Sequence, residues 1–237
     1  MKLALVGPTD RGKSTLARAL AQSAAQRFGR AWLLDLDVGQ GSLPGTVALL
    51  RYTAAGVEPE RRLLVGRVRP KGAEGWLLSA SARLAREADG PWVADTDGWS
   101  GEAAALRFRY QQIEALGAGQ VGVLEDAELY EAIAWRRDLR LRRLAAPPGL
   151  RVRSRRERRL LRELRLLRHL QGGALRELPL PVAQPGHLFA LLDEAGWFLG
   201  YAALARTLGS RGLFFTPVRG EVARVVATWV REPPGLW

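Results

Sequence analysis

The sequence contains no cysteine, which excludes disulfide bridges, cysteine-ligated zinc and catalysis by a thiol. Its only histidines are His169 and His187, so a metal site built from histidine is not expected. No apolar run approaches the roughly 20 residues that a membrane-spanning helix requires. Any catalytic chemistry must therefore come from Asp, Lys, Arg, Ser or Thr side chains.

Lysine is also scarce, because only three of the 36 basic residues are lysines and the other 33 are arginines. The net charge is +12 and the isoelectric point is about 11.2. This balance suits a polyanionic partner such as nucleic acid. The alternative is GC-rich coding combined with the thermal adaptation of a thermophile, which lowers Lys, Cys and Met usage without any ligand. The distribution of the arginines therefore matters more than their total.

The first 137 residues alternate between apolar runs and amphipathic stretches. Strands are predicted over residues 1–6, 31–36, 63–68, 92–95 and 121–124. Helices are predicted over residues 14–28, 73–87, 102–116 and 127–137. This alternation predicts a three-layer α/β sandwich with a mainly parallel sheet covered on both faces. We expect a cytoplasmic protein without a cleavable targeting segment, because GPTDRGKST, a segment of the phosphate-loop type, already begins at Gly7.

Gly7 to Thr15 (GPTDRGKST) match the pattern G-x-x-x-x-G-K-[ST] in full. The glycines let backbone N–H groups surround a phosphate, and the helix that follows points its positive end at the anion. Lys13 is predicted to reach the β- and γ-phosphates, and Ser14 to offer its hydroxyl to Mg²⁺. The other residues predicted to contact the nucleotide are Gly7, Thr9, Asp10, Arg11, Gly12 and Thr15. The loop thus predicts a site for ATP or GTP with Mg²⁺. Together with the alternation of strands and helices, it predicts a three-layer sandwich of the P-loop NTPase type.

Acidic side chains end two of the predicted strands. Asp37 follows the second strand and is the candidate general base, with a Mg²⁺ contact also open to it; Asp35 is the alternative base. Asp95 ends the strand at residues 92–95 and is the candidate holder of a Mg²⁺-bound water. A different interpretation of Asp35 and Asp37 is a pair of caps for the following turn or helix.

Thr96 and Trp99 follow at the same predicted sheet edge and are candidate substrate contacts. Trp99 comes after a glycine in a loop, where its ring can stack on a nucleobase. The alternative is that Trp99 packs into the core.

An arginine-rich helix is predicted over residues 150–170, after Pro147, Pro148 and Gly149. A period of 3.6 residues places Arg158, Arg162 and Arg165 on one face and a leucine stripe on another. The stripe consists of Leu160, Leu164 and Leu167, and we expect the apolar face to dock and the arginines to point outward. The functional interpretation of this helix is a lid that closes over the nucleotide. Its arginines would neutralise charge on a transferring phosphoryl group. The alternatives are a solvated face and a non-specific tether for polyanions.

The chain is therefore divided into three predicted parts. These are a P-loop kinase core (1–149), the lid helix (150–173) and a small β-rich appendage (174–237). In the appendage, strands over residues 188–192, 198–205, 212–215 and 222–230 predict an antiparallel sheet.

Four segments, in this order, resemble the polynucleotide 5′-hydroxyl kinase family. They are GPTDRGKST, LDLDVGQGSLPGT, DTDGW and VRSRRERRLLRELRLLRHLQG, and the resemblance extends over about residues 1 to 172. It implies that Lys13 and Ser14 serve ATP and Mg²⁺ and that Asp37 is the catalytic aspartate. It further implies that Gln40 lies near the accepting strand and that Trp99 clamps the terminal base. Arg153, Arg158 and Arg162 fall at the spacing of the family's lid arginines, with Arg153 on the nucleotide.

The resemblance implies transfer of the γ-phosphoryl group of ATP or GTP to the 5′-hydroxyl end of RNA or DNA, as in RNA processing. No membrane partner is expected, because no apolar run is long enough to span a bilayer. The alternatives are a nucleotide-dependent scaffold that binds nucleic acid without transfer, and a kinase for a small metabolite.

Overall fold

The computed structural model describes residues 1–58, 61–182 and 184–236. Its helices and strands follow in chain order: β1 (Lys2–Val6), α1 (Lys13–Phe28), β2 (Arg30–Leu36), β3 (Thr46–Thr53), β4 (Gly56–Val57), β5 (Arg61–Leu64), α2 (Glu74–Glu87), β6 (Trp92–Thr96), α3 (Ala103–Leu116), β7 (Gln120–Leu124), α4 (Ala127–Ile133), β8 (Arg140–Leu144), α5 (Arg155–Leu170), β9 (Ala174–Pro179), β10 (His187–Leu192), β11 (Phe198–Leu208), β12 (Arg211–Thr216) and β13 (Arg224–Arg231). Within the described part of the chain, no helix combines the length and the hydropathy needed to cross a membrane.

The chain divides into two compact units. The first comprises residues 1–37, 47–60 and 70–154, and the second comprises residues 38–46, 61–69 and 155–237. The predicted three-part division differs from this one, because the arginine-rich helix and the β-rich tail fall in the same unit. Two short segments that precede residue 70 also belong to that second unit.

The first unit is built on a mainly parallel sheet in the order β4-β3-β2-β6-β1-β7-β8. Strands β2, β6, β1, β7 and β8 run parallel, while β3 is antiparallel to β2. Helix α1 packs on β1, β2 and β6, and α2 packs on β2 and on α3. The parallel arrangement brings the carboxyl ends of β1, β2 and β6 to one edge, as the predicted α/β sandwich requires.

The core of the first unit lies between α1 and the sheet. Four alanines at helical spacing cover one face of α1 and are buried against Leu5, Val93 and Leu124; they are Ala17, Ala21, Ala24 and Ala25. Small side chains let the helix axis approach the strands closely, so α1 is held firmly behind the loop that precedes it.

The predicted elements of this unit are found, with three additions and one shortening. The strand predicted over residues 63–68 belongs to the second unit and is wrong in its bounds, because β5 runs from Arg61 to Leu64. The sequence did not predict β3, β4 or β8. Strand β8 (RLRRL) is rich in arginine and largely exposed, so it carries little of the hydrophobic signal that marks a strand. Helix α4 ends at Ile133 instead of residue 137.

The second unit combines α5 with a five-stranded antiparallel sheet in the order β13-β10-β11-β12-β9. The predicted antiparallel tail is therefore confirmed, with β9 as an additional strand. Buried side chains of α5 and of the sheet form one core cluster that includes Leu166, Leu170, Leu188 and Tyr201.

The predicted docking face of the arginine-rich helix is wrong. Leu160 and Leu164 are 53% and 40% exposed, whereas Leu166 and Leu170 are buried. Arg162 precedes Leu166 by one helical turn and is itself half-buried. The helix therefore rests on a face shared by leucines and arginine stems, because the aliphatic part of an arginine packs against apolar surface while its charged end reaches a polar partner. The helix also starts at Arg155 instead of residue 150.

Candidate active site

The phosphate loop connects β1 to α1 and needs glycine at two positions. Gly7 has a φ of 136°, and a side chain there would place its Cβ 2.1 Å from the carbonyl oxygen of Leu124. Gly12 has a φ of 84° and immediately precedes the first residue of α1. The loop thus wraps tightly at the N-terminus of α1, where free backbone N–H groups and the helix dipole favour an anion.

Lys13 lies inside this loop with only 6% of its surface exposed. Its Nζ donates hydrogen bonds to the carbonyl oxygens of Gly7, at 2.7 Å, and Pro8, at 2.6 Å. Burial lowers the pKa of the Lys13 ammonium, although the Asp95 and Asp37 carboxylates act in the opposite direction. The ammonium is therefore held at the centre of the phosphate loop, among the carboxylates that end the neighbouring strands.

Asp35 and Asp95 lie side by side, because β2 and β6 pair in parallel with these two residues in register. Both are buried. Burial, followed by the charge of Asp35, raises the pKa of Asp95 to about 7, while a hydrogen bond with Ser14 acts against this rise. Asp37 is half-buried one step beyond β2, and its backbone N–H donates to Asp35 at 3.4 Å.

These oxygen atoms fit a magnesium ion. Oδ1 of Asp95 is buried and has no hydrogen-bond partner within the described residues, and the other groups at hand are the Ser14 hydroxyl and the Asp37 carboxylate. Mg²⁺ prefers oxygen ligands and keeps several waters, so it needs one or two carboxylates rather than a full protein cage. Among the described residues, no cluster of three or more His, Cys, Asp or Glu side chains suited to a metal occurs.

The loop after β6 lies directly against the phosphate loop. At Gly98, an added Cβ would be 2.4 Å from the backbone nitrogen of Thr9, so only glycine fits. Trp99 follows and is partly exposed, and its ring centroid is 5.7 Å from that of Phe108. The side chain of Glu102 accepts a hydrogen bond from Trp99 and forms an ion pair with Lys71 at 2.8 Å. Trp99 is thus fixed beside the loop and still accessible on part of its surface.

A buried arginine that the sequence did not single out holds this segment. Arg109 of α3 pairs with Asp97 at 2.9 Å, and both side chains are at most 3% exposed. The same nitrogen donates to the backbone oxygen of Asp97 at 3.0 Å, and Oδ1 of Asp97 also accepts from the N–H of Trp99 at 2.8 Å. Gln112 accepts from Arg109 and donates to Ser81 at 3.2 Å. The chain of contacts ties α2 and α3 to the Trp99 loop.

Thr96 is buried, and its hydroxyl donates to the carbonyl oxygen of Leu5 at 2.8 Å. That bond joins the ends of β6 and β1. A substrate contact from Thr96 stays a prediction.

Asp10, in the middle of the phosphate loop, adopts a left-handed conformation with a φ of 58°. Arg153 fixes it, because Nε of Arg153 donates to Asp10 at 2.8 Å and its backbone N–H donates at 3.0 Å. Arg11 pairs with Glu125 at 3.2 Å, and Thr15 is exposed on α1. The structure thus brings Arg153 to the phosphate loop through Asp10, and a direct contact of Arg153 with the nucleotide stays a prediction.

The remaining candidates lie in the second unit. Gln40 is half-buried, and its side-chain nitrogen donates to the carbonyl oxygen of Gly39 at 3.0 Å. Arg165 of α5 donates to the carbonyl oxygen of Gln40 at 2.9 Å, so the arginine-rich helix and the Gln40 loop are joined. Arg158 and Arg162 are half-buried on the same side of α5.

Comparison with known proteins was made on both sequence and structure. Residues 7–172 match the model of a protein family described as mRNA cleavage and polyadenylation factor CLP1 P-loop. A CLP1 homolog of Nematostella vectensis is 29% identical over an alignment of 193 residues that covers 72% of this chain and 45% of that protein. The polyribonucleotide 5′-hydroxyl-kinase Clp1 of Xenopus tropicalis is 51% identical over 51 residues, which are 21% of this chain and 12% of that protein. The chain spans less than half the length of these relatives.

Two solved structures share the fold. One is a complex of wild-type Clp1p with a segment of Pcf11p, with a TM-score of 0.75 over 98% of this chain and 74% of that one. The other concerns the interface between Pcf11p and Clp1p and the loss of ATP in a point mutant, with a TM-score of 0.76 over 98% of this chain and 75% of that one. Both are 14% identical to this chain, so the likeness is one of fold.

Proposed function

The chain belongs to the CLP1 P-loop family, and we propose that it is a polynucleotide 5′-hydroxyl kinase that transfers the γ-phosphoryl group of ATP or GTP to the 5′-hydroxyl end of RNA or DNA. One observation carries the proposal. The phosphate loop with Lys13, the Ser14–Asp95 pair and the Trp99 loop meet at a single sheet edge of the first unit. A nucleotide site and an aromatic platform for an acceptor base thus adjoin each other.

Phosphoryl transfer makes modest demands on protein chemistry, because positioning and charge stabilisation supply most of the rate. Lys13 balances the negative charge of the β- and γ-phosphates. Asp37 accepts the proton of the acceptor hydroxyl as the O5′–P bond forms and the bond from the γ-phosphorus to the bridging oxygen breaks, which releases the nucleoside diphosphate. Mg²⁺, held by Ser14 and Asp95 with Asp37 within reach, would supply further positive charge to the phosphates.

The protein holds the acceptor strand through contacts with its terminal base and with the strand next to it. Trp99 stacks on the base, and Gln40 contributes a polar contact to the accepting strand. Arg158 and Arg162 stabilise the charge on the transferring group, a role for which an arginine is worth about 10³–10⁵ in rate. The kcat of an Arg162→Ala variant checks this role, and a loss below about tenfold would contradict it.

The test of the chemical step compares two matched variants with the wild type. Asp37→Asn removes the base without changing the size of the side chain, whereas Asp138→Asn makes the same change at a surface residue paired with Arg136. Transfer of label from γ-labelled ATP to a 5′-hydroxyl oligonucleotide should fall by at least about 10² in kcat for Asp37→Asn and stay unchanged for Asp138→Asn. Equal loss in both variants, or none in either, would contradict the role of Asp37. Salt-sensitive binding of the oligonucleotide without transfer by the wild type would indicate a scaffold instead.

A further inference from the structure

The outer face of β13 carries an exposed tryptophan. Side chains alternate along this strand, so that Thr228 and Val230 are buried while Trp229 and Arg231 are exposed. Trp229 is 49% exposed. Its backbone N–H donates to the carbonyl oxygen of Gly66 at 2.8 Å, which fixes the backbone that carries the ring. A large aromatic surface held rigidly in solvent has no role in the core of the second unit.

Cationic and aromatic groups surround the ring. The guanidinium of Arg67 lies 4.7 Å from the centroid of the Trp229 ring, and His187 meets the ring edge-on with centroids 6.4 Å apart. Nδ1 of His187 is 3.2 Å from the carbonyl oxygen of Pro185, so its ring is also held in place. Nε of Arg67 is buried and lacks a hydrogen-bond partner within the described residues. We call Trp229, Arg67, His187 and Arg231 the Trp229 platform.

We propose that the Trp229 platform binds single-stranded nucleic acid by stacking one unpaired base on the Trp229 ring. The proposal rests on the proposed function, and it adds a second base-binding position to that of Trp99. Every nucleobase has a π-face, so an exposed tryptophan accepts bases with little regard to sequence. Arg67 and Arg231 supply positive charge for the adjoining phosphates, and a guanidinium against the ring strengthens the stack by a cation–π contact.

The experiment measures binding, so its outcome does not depend on phosphoryl transfer. The probe is a fluorescein-labelled, unstructured oligonucleotide of about 12 nucleotides, titrated at several salt concentrations and followed by fluorescence anisotropy. Trp229→Ala should weaken binding about 5- to 100-fold, and Trp229→Phe should retain affinity within about threefold. Trp76→Ala is the matched control, because Trp76 is similarly exposed, at 58%, but lies on α2 of the first unit. This substitution is expected to leave the affinity for the oligonucleotide unchanged.

Arg67→Met provides a second, independent variant. It keeps a long apolar stem and removes the charge, and it should reduce the dependence of affinity on salt. Affinity of Trp229→Ala within twofold of the wild type, or equal losses in Trp229→Ala and Trp76→Ala, would overturn the platform even if the wild type transfers phosphate. A wild type that binds through Trp229 and transfers nothing would refute the kinase and leave the platform standing.

Discussion

The buried ion pair between Arg109 and Asp97 is expected to stabilise the first unit and to hold the Trp99 loop in place. Replacing Arg109 with methionine keeps a side chain of similar length and removes the guanidinium. Asp97 would then remain buried without its ion pair, and the Trp99 N–H would be bound to a carboxylate that has lost its counter-charge. We therefore expect both the stability of the first unit and the placement of the Trp99 loop to suffer.

The size of the expected loss in unfolding free energy follows from the burial of the pair. Both partners are at most 3% exposed, and breaking a buried ion pair on one side costs about 3–5 kcal/mol, because the remaining charge has lost both water and partner. Arg30→Met is the matched control. Arg30 and Asp89 form an ion pair at 3.0 Å with side chains 48% and 60% exposed, and such a pair is worth about 0–1 kcal/mol.

Equilibrium unfolding in urea measures the free energy of unfolding of both variants from the midpoint and slope of the transition. Arg109→Met should lower the midpoint with an unchanged slope, and the double variant Arg109→Met with Asp97→Asn should recover part of the loss because it removes the unpaired charge. A loss no larger than that of Arg30→Met would refute the reasoning, since the buried pair would then contribute no more than an exposed one.

Two further predictions concern other close contacts. Gly98→Ala should push the Trp99 loop away from Thr9, cost about 1–3 kcal/mol of unfolding free energy and weaken nucleotide binding in a calorimetric titration. Gly90→Ala, which meets nothing within 4 Å, is the control, and equal nucleotide affinity in the two variants would contradict this account. His169 accepts a hydrogen bond from the N–H of Tyr201 at 3.0 Å, and burial lowers the pKa of His169 from 6.5 to about 4. The unfolded chain therefore binds the proton more readily, and unfolding free energy should fall by about 3 kcal/mol as the pH drops from 6.5 through 4. His169→Gln should remove that fall, and an identical pH profile in the variant would contradict it.

The parts of the fold that follow from local patterns were predictable from the sequence. A short-range signal in spacing or in turn residues marks three parts of the chain: the phosphate loop, the strands that end at the acidic residues, and the antiparallel tail. Asp35 and Asp95 could be expected at one sheet edge because parallel strands end together. Their pairing in register could not be expected, because register depends on the whole sheet. Burial, together with the charge of the neighbouring Asp35, raises the pKa of Asp95.

Two features of the helices differ from the expectation, and both involve arginine. The face on which α5 rests was misplaced because its arginines and leucines share several faces, and the tertiary contact selected Leu166 and Leu170 over Leu160 and Leu164. Arg109 was overlooked because an arginine in a helix is ordinarily solvated. A signal was present: Arg109 and Gln112 stand at helical spacing with Ala105, Phe108 and Ile113 on the buried face of α3, where a charge needs a buried partner.

The central claim is that this chain phosphorylates a nucleic-acid 5′-hydroxyl. Its most direct test uses two oligonucleotides that are identical except for the 5′ end, one with a hydroxyl and one with a phosphate. The wild-type protein is incubated with each, γ-labelled ATP or GTP and Mg²⁺. The account predicts label on the 5′-hydroxyl strand alone, removable by a phosphatase. No label on either strand, or equal label on both, would contradict it.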